Sequence, residues 1–173
     1  MAGAILAPGL TFQQPSGEDC FKGEWLIKNG DTINEGDLVG IYTTGGVTYI
    51  TPASKTAGSI VKALGVAFFP GNNGTSNVRV GDGTTVKCSI ARKAIITGTT
   101  TTMVPSLAGG LPVYLGPTPT TSVSNYTCAL TSTNGDEIEQ VGWVSPDGAT
   151  LEIFVTGAGM QYQTAGNSTV NYA

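Results

Sequence analysis

No histidine occurs anywhere in this 173-residue chain, so the chemistry that its side chains could support is narrow. Without an imidazole there is no Ser-His or Cys-His nucleophile pair and no histidine-based metal site. A hydrolase built from these residues would have to use carboxylates or lysine as acid and base. The carboxylates that could serve are grouped in two acidic runs, Glu18-Asp19 and Asp136-Glu137 with Glu139.

The acidic runs have competing interpretations. Two carboxyls that face each other across a cleft would form the acid–base pair of a glycosidase. The run around Asp136 also offers oxygen ligands for Ca²⁺, but it lacks the spacing of an EF-hand loop. Carboxylates in polar, glycine-containing stretches are more typically solvated loop charges, and we predict that role here. The sequence therefore predicts a protein that is not an enzyme and that has no metal site and no cofactor.

The three cysteines, Cys20, Cys88 and Cys128, are odd in number and far apart. This pattern disfavours both a disulfide framework and a zinc site. Cys88 and Cys128 fall on alternating apolar positions of predicted strands. We therefore predict that both are small buried hydrophobic residues.

The glycine-rich segments 71–74 and Gly81-Asp82-Gly83 match no phosphate-binding pattern, so they are predicted to be hairpin loops. The one basic cluster, Arg92-Lys93 with Lys87, is more typical of solvated strand ends than of a docking site for an acidic partner. A net charge of −4 disfavours a nucleic-acid partner. No stretch approaches the roughly 18 apolar residues of a membrane span, and the N-terminus does not resemble a signal peptide, so no membrane partner is expected.

Composition and periodicity both indicate a β-protein. Charged residues make up only 12% of the chain, while glycine alone contributes 25 residues, which is typical of chains with many strands and turns. Apolar residues recur with a period of two. We predict an all-β fold, a compact antiparallel β-barrel or sandwich with extended N- and C-terminal arms. The predicted strands are Glu24–Ile27, Leu38–Tyr42, Val47–Ile50, Ile60–Phe69, Val78–Val80, Thr85–Ile96, Leu111–Leu115, Tyr126–Leu130, Gln140–Val144 and Thr150–Val155.

Local signals refine this picture. Thr43-Thr44-Gly45-Gly46 and Ser145-Pro146-Asp147-Gly148 each predict a hairpin turn between two apolar strands. Pro112 predicts that the strand at 111–115 lies at a sheet edge. Trp143 lies between Val141 and Val144, so it is predicted to be in the core.

The chain is predicted to have three regions. Prolines and glycines interrupt residues 1–20, which we interpret as an extended N-terminal arm. Residues 21–156 form the predicted β-barrel domain. Residues 157–173 are small and polar, and we interpret them as a C-terminal arm.

Four segments carry a resemblance to a known family. They are Gly36-Asp37-Leu38-Val39, Leu64-Gly65-Val66-Ala67, Gly110-Leu111-Pro112-Val113-Tyr114-Leu115, and Val141-Gly142-Trp143-Val144 continuing through Leu151-Glu152-Ile153. In order and spacing, over residues 24–156, the chain resembles the decoration (cement) proteins of tailed-phage capsids, small β-barrel head proteins of the β-tulip type.

The resemblance implies a structural virion protein on the capsid exterior, synthesised in the host cytoplasm. Its partners would be the major capsid protein and further copies of itself in a homotrimer, and it would cement or stabilise neighbouring capsid subunits. An arm can contribute backbone hydrogen bonds and apolar anchors over a long path. The candidate capsid-contact residues in the arm at 1–20 are Ile5, Leu6, Leu10 and Phe12.

Alternatives remain open at this point. Another virion β-module, such as a head fibre base or a tail component, would share nearly every feature of the sequence. A carbohydrate- or receptor-binding surface module would need exposed aromatic residues, either Trp143 or a cluster of Tyr42, Tyr49 and Tyr114. A carboxylate enzyme would need two of the acidic side chains in one pocket.

Overall fold

The computed structural model describes residues 4–7, 10–13, 23–70, 78–98, 109–116, 126–127, 135–148, 150–155 and 162–164. These ranges form strands and turns and contain no helix, which confirms the predicted all-β class. Accordingly, they include no helix that could cross a membrane. The strands are β1 (Ala4–Ala7), β2 (Leu10–Gln13), β3 (Trp25–Leu26), β4 (Thr32–Asn34), β5 (Leu38–Thr44), β6 (Val47–Pro52), β7 (Gly65–Phe68), β8 (Val78–Val80), β9 (Lys87–Ala91), β10 (Lys93–Gly98), β11 (Pro112–Leu115), β12 (Tyr126–Thr127), β13 (Glu137–Val144), β14 (Thr150–Phe154) and β15 (Tyr162–Thr164).

A five-stranded antiparallel sheet with the order β3-β9-β7-β5-β6 curls until its two end strands meet. Ile27, directly after β3, forms a parallel bridge with Ile50 of β6. The Lys28 amide donates a hydrogen bond of 2.9 Å to the Ile50 carbonyl oxygen. This contact closes the sheet into a small barrel and pairs backbone groups that an open edge would expose.

The middle strand of this barrel, β7, is buried on both faces. All four residues of β7 are buried, and successive residues point to opposite sides. Val66 therefore packs into one core and Ala67 into another. Such double burial explains the apolar residues at 65–68. The rest of the predicted strand Ile60–Phe69 is not a strand, and Ile60 is exposed. The core inside the barrel consists of Ile27, Ile33, Val39, Ile50, Ala67, Phe69, Cys88 and Ile90.

The second sheet has eight strands in the order β1-β2-β10-β14-β13-β11-β12, with β15 also paired to β13. Its inner face covers the outer wall of the barrel. The shared core contains Leu38, Val66 and Phe68 from the barrel side, and Ile96, Val113, Leu115, Val141, Val144, Leu151 and Ile153 from the eight-stranded sheet. Because β11 lies between β13 and β12, the prediction that β11 is an edge strand is wrong. β12 pairs only with the last two residues of β11, Tyr114 and Leu115.

The predicted strand Thr85–Ile96 is in fact two strands that belong to different sheets. β9 ends at Ala91, Arg92 lies between the strands, and β10 begins at Lys93. Cys88 consequently packs inside the barrel, whereas Ile96 packs between the sheets. The chain thus crosses from one sheet to the other at Arg92, whose carbonyl oxygen accepts a hydrogen bond of 2.7 Å from the Val155 amide.

Described residues of both predicted arms lie in strands of the eight-stranded sheet. In the region 1–20, β1 and β2 form an antiparallel hairpin, and β2 pairs with β10 over four residues. In the region 157–173, β15 pairs with the start of β13.

A buried tyrosine ties the eight-stranded sheet to the turn before β5. The Tyr126 hydroxyl donates a hydrogen bond of 2.6 Å to the Gly36 carbonyl oxygen. The same turn is closed by Asp37, whose carboxylate accepts a hydrogen bond of 2.7 Å from the Asn34 amide. Burial of the phenol raises the pKa of Tyr126 well above its ordinary value.

Replacing Tyr126 with phenylalanine should lower the free energy of unfolding by about 1.5 kcal/mol, because the buried Gly36 carbonyl loses its donor while the ring keeps its packing. Urea denaturation measures the difference. The control is Tyr42→Phe, at an exposed ring, which should change the stability by less than about 0.5 kcal/mol. Equal effects of the two substitutions would contradict the assigned role of the hydroxyl.

Candidate functional site

The four predicted capsid-contact residues lie in the N-terminal hairpin. Ile5 and Leu6 belong to β1, and Leu10 and Phe12 belong to β2. β2 is hydrogen-bonded to the body of the sheet through β10, and β1 stands at the end of the strand order. A terminal strand directs backbone N–H and C=O groups away from its sheet, and a strand of another protein can pair with them.

Trp143 is about half exposed, at 48%, so the prediction that it is a core residue is wrong. The reason is an irregularity in the pairing of β11 with β13. Val113 pairs with Gly142 and Tyr114 with Gln140, which leaves Val141 as an extra residue in β13. Such a bulge shifts the alternation by one position. Val141 and Val144 therefore both point inward, while Trp143 points outward.

Gly142 holds this bulge close to its neighbour. A Cβ atom at Gly142 would lie closer than 3.0 Å to the Glu152 backbone oxygen, so a larger residue would push β13 and β14 apart. The Gln140 side-chain amide donates a hydrogen bond of 3.3 Å to the Gly142 carbonyl oxygen. A glycine inside a strand pattern is the sequence signal that could have revealed the bulge, and with it the exposure of the tryptophan.

We use the name Trp143 face for a group of side chains on the outside of the eight-stranded sheet. Trp143 pairs with Pro112 on β11 and with Glu152 on β14, and Glu152 pairs with Ile95 on β10. Residues in direct cross-strand register share one face of a sheet. The members of the Trp143 face are Pro112, Tyr114, Gln140, Trp143, Glu152 and Ile95.

The three tyrosines proposed as an aromatic cluster do not come together. Tyr42 and Tyr49 form a cross-strand pair in the β5–β6 hairpin, whereas Tyr114 lies in the other sheet. The predicted hairpin turn is confirmed, with φ values of 57° and 78° at Gly45 and Gly46. Such positive angles are open to glycine without strain.

The carboxylates of the second acidic run are buried, so the prediction that they are solvated loop charges is wrong. They hold the segment between β6 and β7. Asp136 Oδ2 lies 3.4 Å from Lys55 Nζ, and its Oδ1 accepts a hydrogen bond of 3.0 Å from the Ala57 amide. The Glu139 carboxylate, in the same way, accepts a hydrogen bond of 3.1 Å from the Ala63 amide.

Glu137 completes this set with an ion pair of 3.0 Å to Lys62. All three carboxylates therefore make contacts that stabilise the fold. Glu18 and Asp19 lie outside the described residues. In the described ranges, no group of three His, Cys, Asp or Glu side chains is placed to hold a metal ion.

The ion pair between Asp136 and Lys55 should contribute more to stability than the ion pair between Glu137 and Lys62. Lys55 is largely buried, whereas the Lys62 side chain is 57% exposed. Asp136→Ala should therefore lower the free energy of unfolding by about 3 kcal/mol, since it leaves the buried charge of Lys55 uncompensated. The matched Glu137→Ala substitution should lower the free energy of unfolding by less than about 1 kcal/mol, because its exposed partner Lys62 remains solvated. Urea unfolding of both variants tests this order, and a larger loss for Glu137→Ala would refute it.

The loop Gly81-Asp82-Gly83 is closed by its own carboxylate. Asp82 accepts hydrogen bonds from the Thr85 hydroxyl and from the amides of Thr84, Thr85 and Val86. These bonds, chiefly that from the Thr85 hydroxyl, lower the pKa of Asp82 well below its ordinary value. The amides that a phosphate group would need are thus already occupied. The prediction that this loop is a hairpin is wrong, because β8 pairs with β4 in a separate two-stranded sheet while β9 pairs with β3 and β7. The other predicted hairpin loop, at residues 71–74, lies outside the described residues.

This loop should loosen only at strongly acidic pH. The hydrogen bonds favour the ionised Asp82, so they contribute stability above the unfolded-state pKa of about 3.9 and lose it as the pH falls through the lower folded-state value. An NMR titration of the side-chain carboxyl should therefore give a midpoint below 3.9. In Asp82→Asn, the acid-induced shifts of the Thr84 and Thr85 amides should disappear. A midpoint at or above the ordinary value would contradict the assignment.

Cys88 is buried in the barrel core, as predicted, and burial raises the pKa of its thiol to about 12. Cys20 and Cys128 lie outside the described residues. The basic residues do not form one cluster, because Lys87 begins β9 and Arg92 follows its other end.

Comparison with known proteins does not assign the chain a function. No protein-family model, curated protein or solved structure matches it significantly. Two groups of segments meet in the fold, 36–39 with 64–67, and 110–115 with 141–144 and 151–153. Leu38 pairs with Val66 in the barrel, β11, β13 and β14 are adjacent in the larger sheet, and both groups contribute to the shared core.

Proposed function

We propose that the chain is a structural virion protein that binds the outer surface of a phage capsid and cements neighbouring major capsid subunits, as a homotrimer. The observation that carries this proposal is the position of the predicted contact residues. All four lie in the β1–β2 hairpin, which forms one end of the eight-stranded sheet. The resemblance over residues 24–156 supports the same function.

The physical basis is strand addition at the β1 edge. A strand of a capsid subunit that pairs with β1 would gain backbone hydrogen bonds along its length, and alternate side chains would set the register. Each contact of this kind is modest. Because a shell displays many copies side by side, a trimer could engage several subunits at once, and avidity would exceed the affinity of one hairpin by orders of magnitude.

The body of the protein has features suited to a passive load-bearing role. The bridge between Ile27 and Ile50 closes the barrel, and the carboxylates of Asp136 and Glu139 fix the segment between β6 and β7. Only 12% of the residues are charged, and this low share limits electrostatic repulsion between copies placed close together on a lattice.

The test uses expanded shells assembled from the major capsid protein of the same virus and lacking this chain. The full-length protein should co-sediment saturably with the shells and raise their melting temperature. Ile5→Ser and Leu6→Ser, in the end strand β1, should each weaken binding by roughly tenfold or more, since a buried Ile or Leu contributes about 1.5–3 kcal/mol. The matched control is Thr11→Ser, in β2, which is the cross-strand partner of Ile5. Thermal unfolding of the free variants shows whether the body remains folded.

Each outcome separates the hypotheses. Absence of saturable binding by the full-length protein would refute the capsid-binding function. Saturable binding that leaves shell melting unchanged would refute cementing and favour a head fibre base. Binding with stabilisation that is insensitive to Ile5→Ser and Leu6→Ser would retain cementing but exclude the β1 edge as the contact.

A further inference from the structure

The Trp143 face has a chemical character that shell attachment through β1 does not use. Trp143 and Ile95 are 48% and 45% exposed, and they lie in one cross-strand row with Pro112 and Glu152. Tyr114 and Gln140 form the adjacent pair on the same face. The face therefore combines a large aromatic ring with a carboxylate, an amide and a phenol.

The backbone determines the side of the sheet on which Trp143 lies. The bulge at Val141 turns Trp143 outward. At Gly142 the strand β14 lies so close that no residue with a side chain would fit. The hydrogen bond from the Gln140 amide to the Gly142 carbonyl holds the polar neighbour beside the bulge. A site built on paired strands in this way needs little reordering when a ligand binds.

The mixture of groups favours a sugar over an apolar protein surface. An apolar partner would strip water from Glu152 without giving its carboxylate a donor, and that desolvation is costly. A pyranose ring has one face of C–H groups, which can stack on the indole, and a rim of hydroxyls. Those hydroxyls can donate to the Glu152 carboxylate and can both donate to and accept from the Gln140 amide.

We propose that the Trp143 face is a binding site for the pyranose units of a glycan. The site does not depend on the cementing function. In the strand order, Trp143 on β13 is four positions from β1 and Ile95 on β10 is two, roughly 19 Å and 10 Å at the usual strand spacing of about 4.8 Å. A glycan on Trp143 and a capsid strand on β1 could therefore be bound at the same time.

The chain has two tryptophans, which allows a direct optical test. In the Trp25→Phe variant, the tryptophan fluorescence comes from Trp143 alone. The probes are a panel of free trisaccharides of glucose, galactose and N-acetylglucosamine, together with soluble mucin glycans. At least one probe should change the emission saturably, with a blue shift as the indole leaves water.

Calorimetric titration of the responding glycan then identifies the contacts. Trp143→Ala should weaken binding at least tenfold, Trp143→Phe should retain part of the affinity through its ring, and Glu152→Gln should weaken binding severalfold. The matched control is Trp25→Ala, because Trp25 is 38% exposed and lies on the other sheet. The glycan affinity of this variant should be unchanged.

Three results would overturn the proposal. The first is a flat fluorescence response to every probe at millimolar concentration. The second is equal glycan affinity of Trp143→Ala and the unmodified chain. The third is loss of shell co-sedimentation in Trp143→Ala, because the face would then be covered by the capsid. Since the shell assay and the sugar titration are separate, failure of one function is distinguishable from failure of the other.

Discussion

Side chains in the barrel wall point alternately into two cores, and both cores must be covered for the wall to be stable. Val66 of β7 packs toward the eight-stranded sheet, while Ala67 packs inside the barrel with Phe69. The inside is covered when the sheet closes on itself at Ile27 and Ile50. The outside is covered by β10, β14, β13 and β11. Burial on both sides supplies the main apolar contribution to folding and fixes which strands can be neighbours.

Polar contacts add specificity to this apolar framework. The segment between β6 and β7 is held by carboxylates from β13 and its preceding turn, across a separation of 76 residues in the case of Ala63 and Glu139. Tyr126 makes a comparable link from β12 to Gly36 over 90 residues. Buried polar groups contribute little net stability when satisfied, but they are costly when mispaired. They therefore select one arrangement of the two sheets over others of similar apolar burial.

The eight-stranded sheet carries two surfaces with different physical properties. At its end, the β1–β2 hairpin offers backbone hydrogen-bonding groups, the kind of surface to which an extended strand can be added. On its outer face, Trp143 offers a flat ring with polar neighbours, which suits a small amphipathic ligand. The first surface depends on an edge and the second on a bulge. The same sheet could thus attach to a shell and bind a further molecule without either contact covering the other.

The sequence by itself determined the all-β class, the positions of most strands and the turn at Gly45-Gly46. These features follow from local properties, namely apolar residues with a period of two and glycines that adopt positive φ. Only the tertiary structure decided that the run at 85–96 divides between two sheets, that Trp143 faces outward and that Asp136 and Glu139 are buried. One extra residue in β13 reverses the orientation of the side chains after it. Burial of a carboxylate likewise depends on a partner distant in the chain, so no local pattern encodes it.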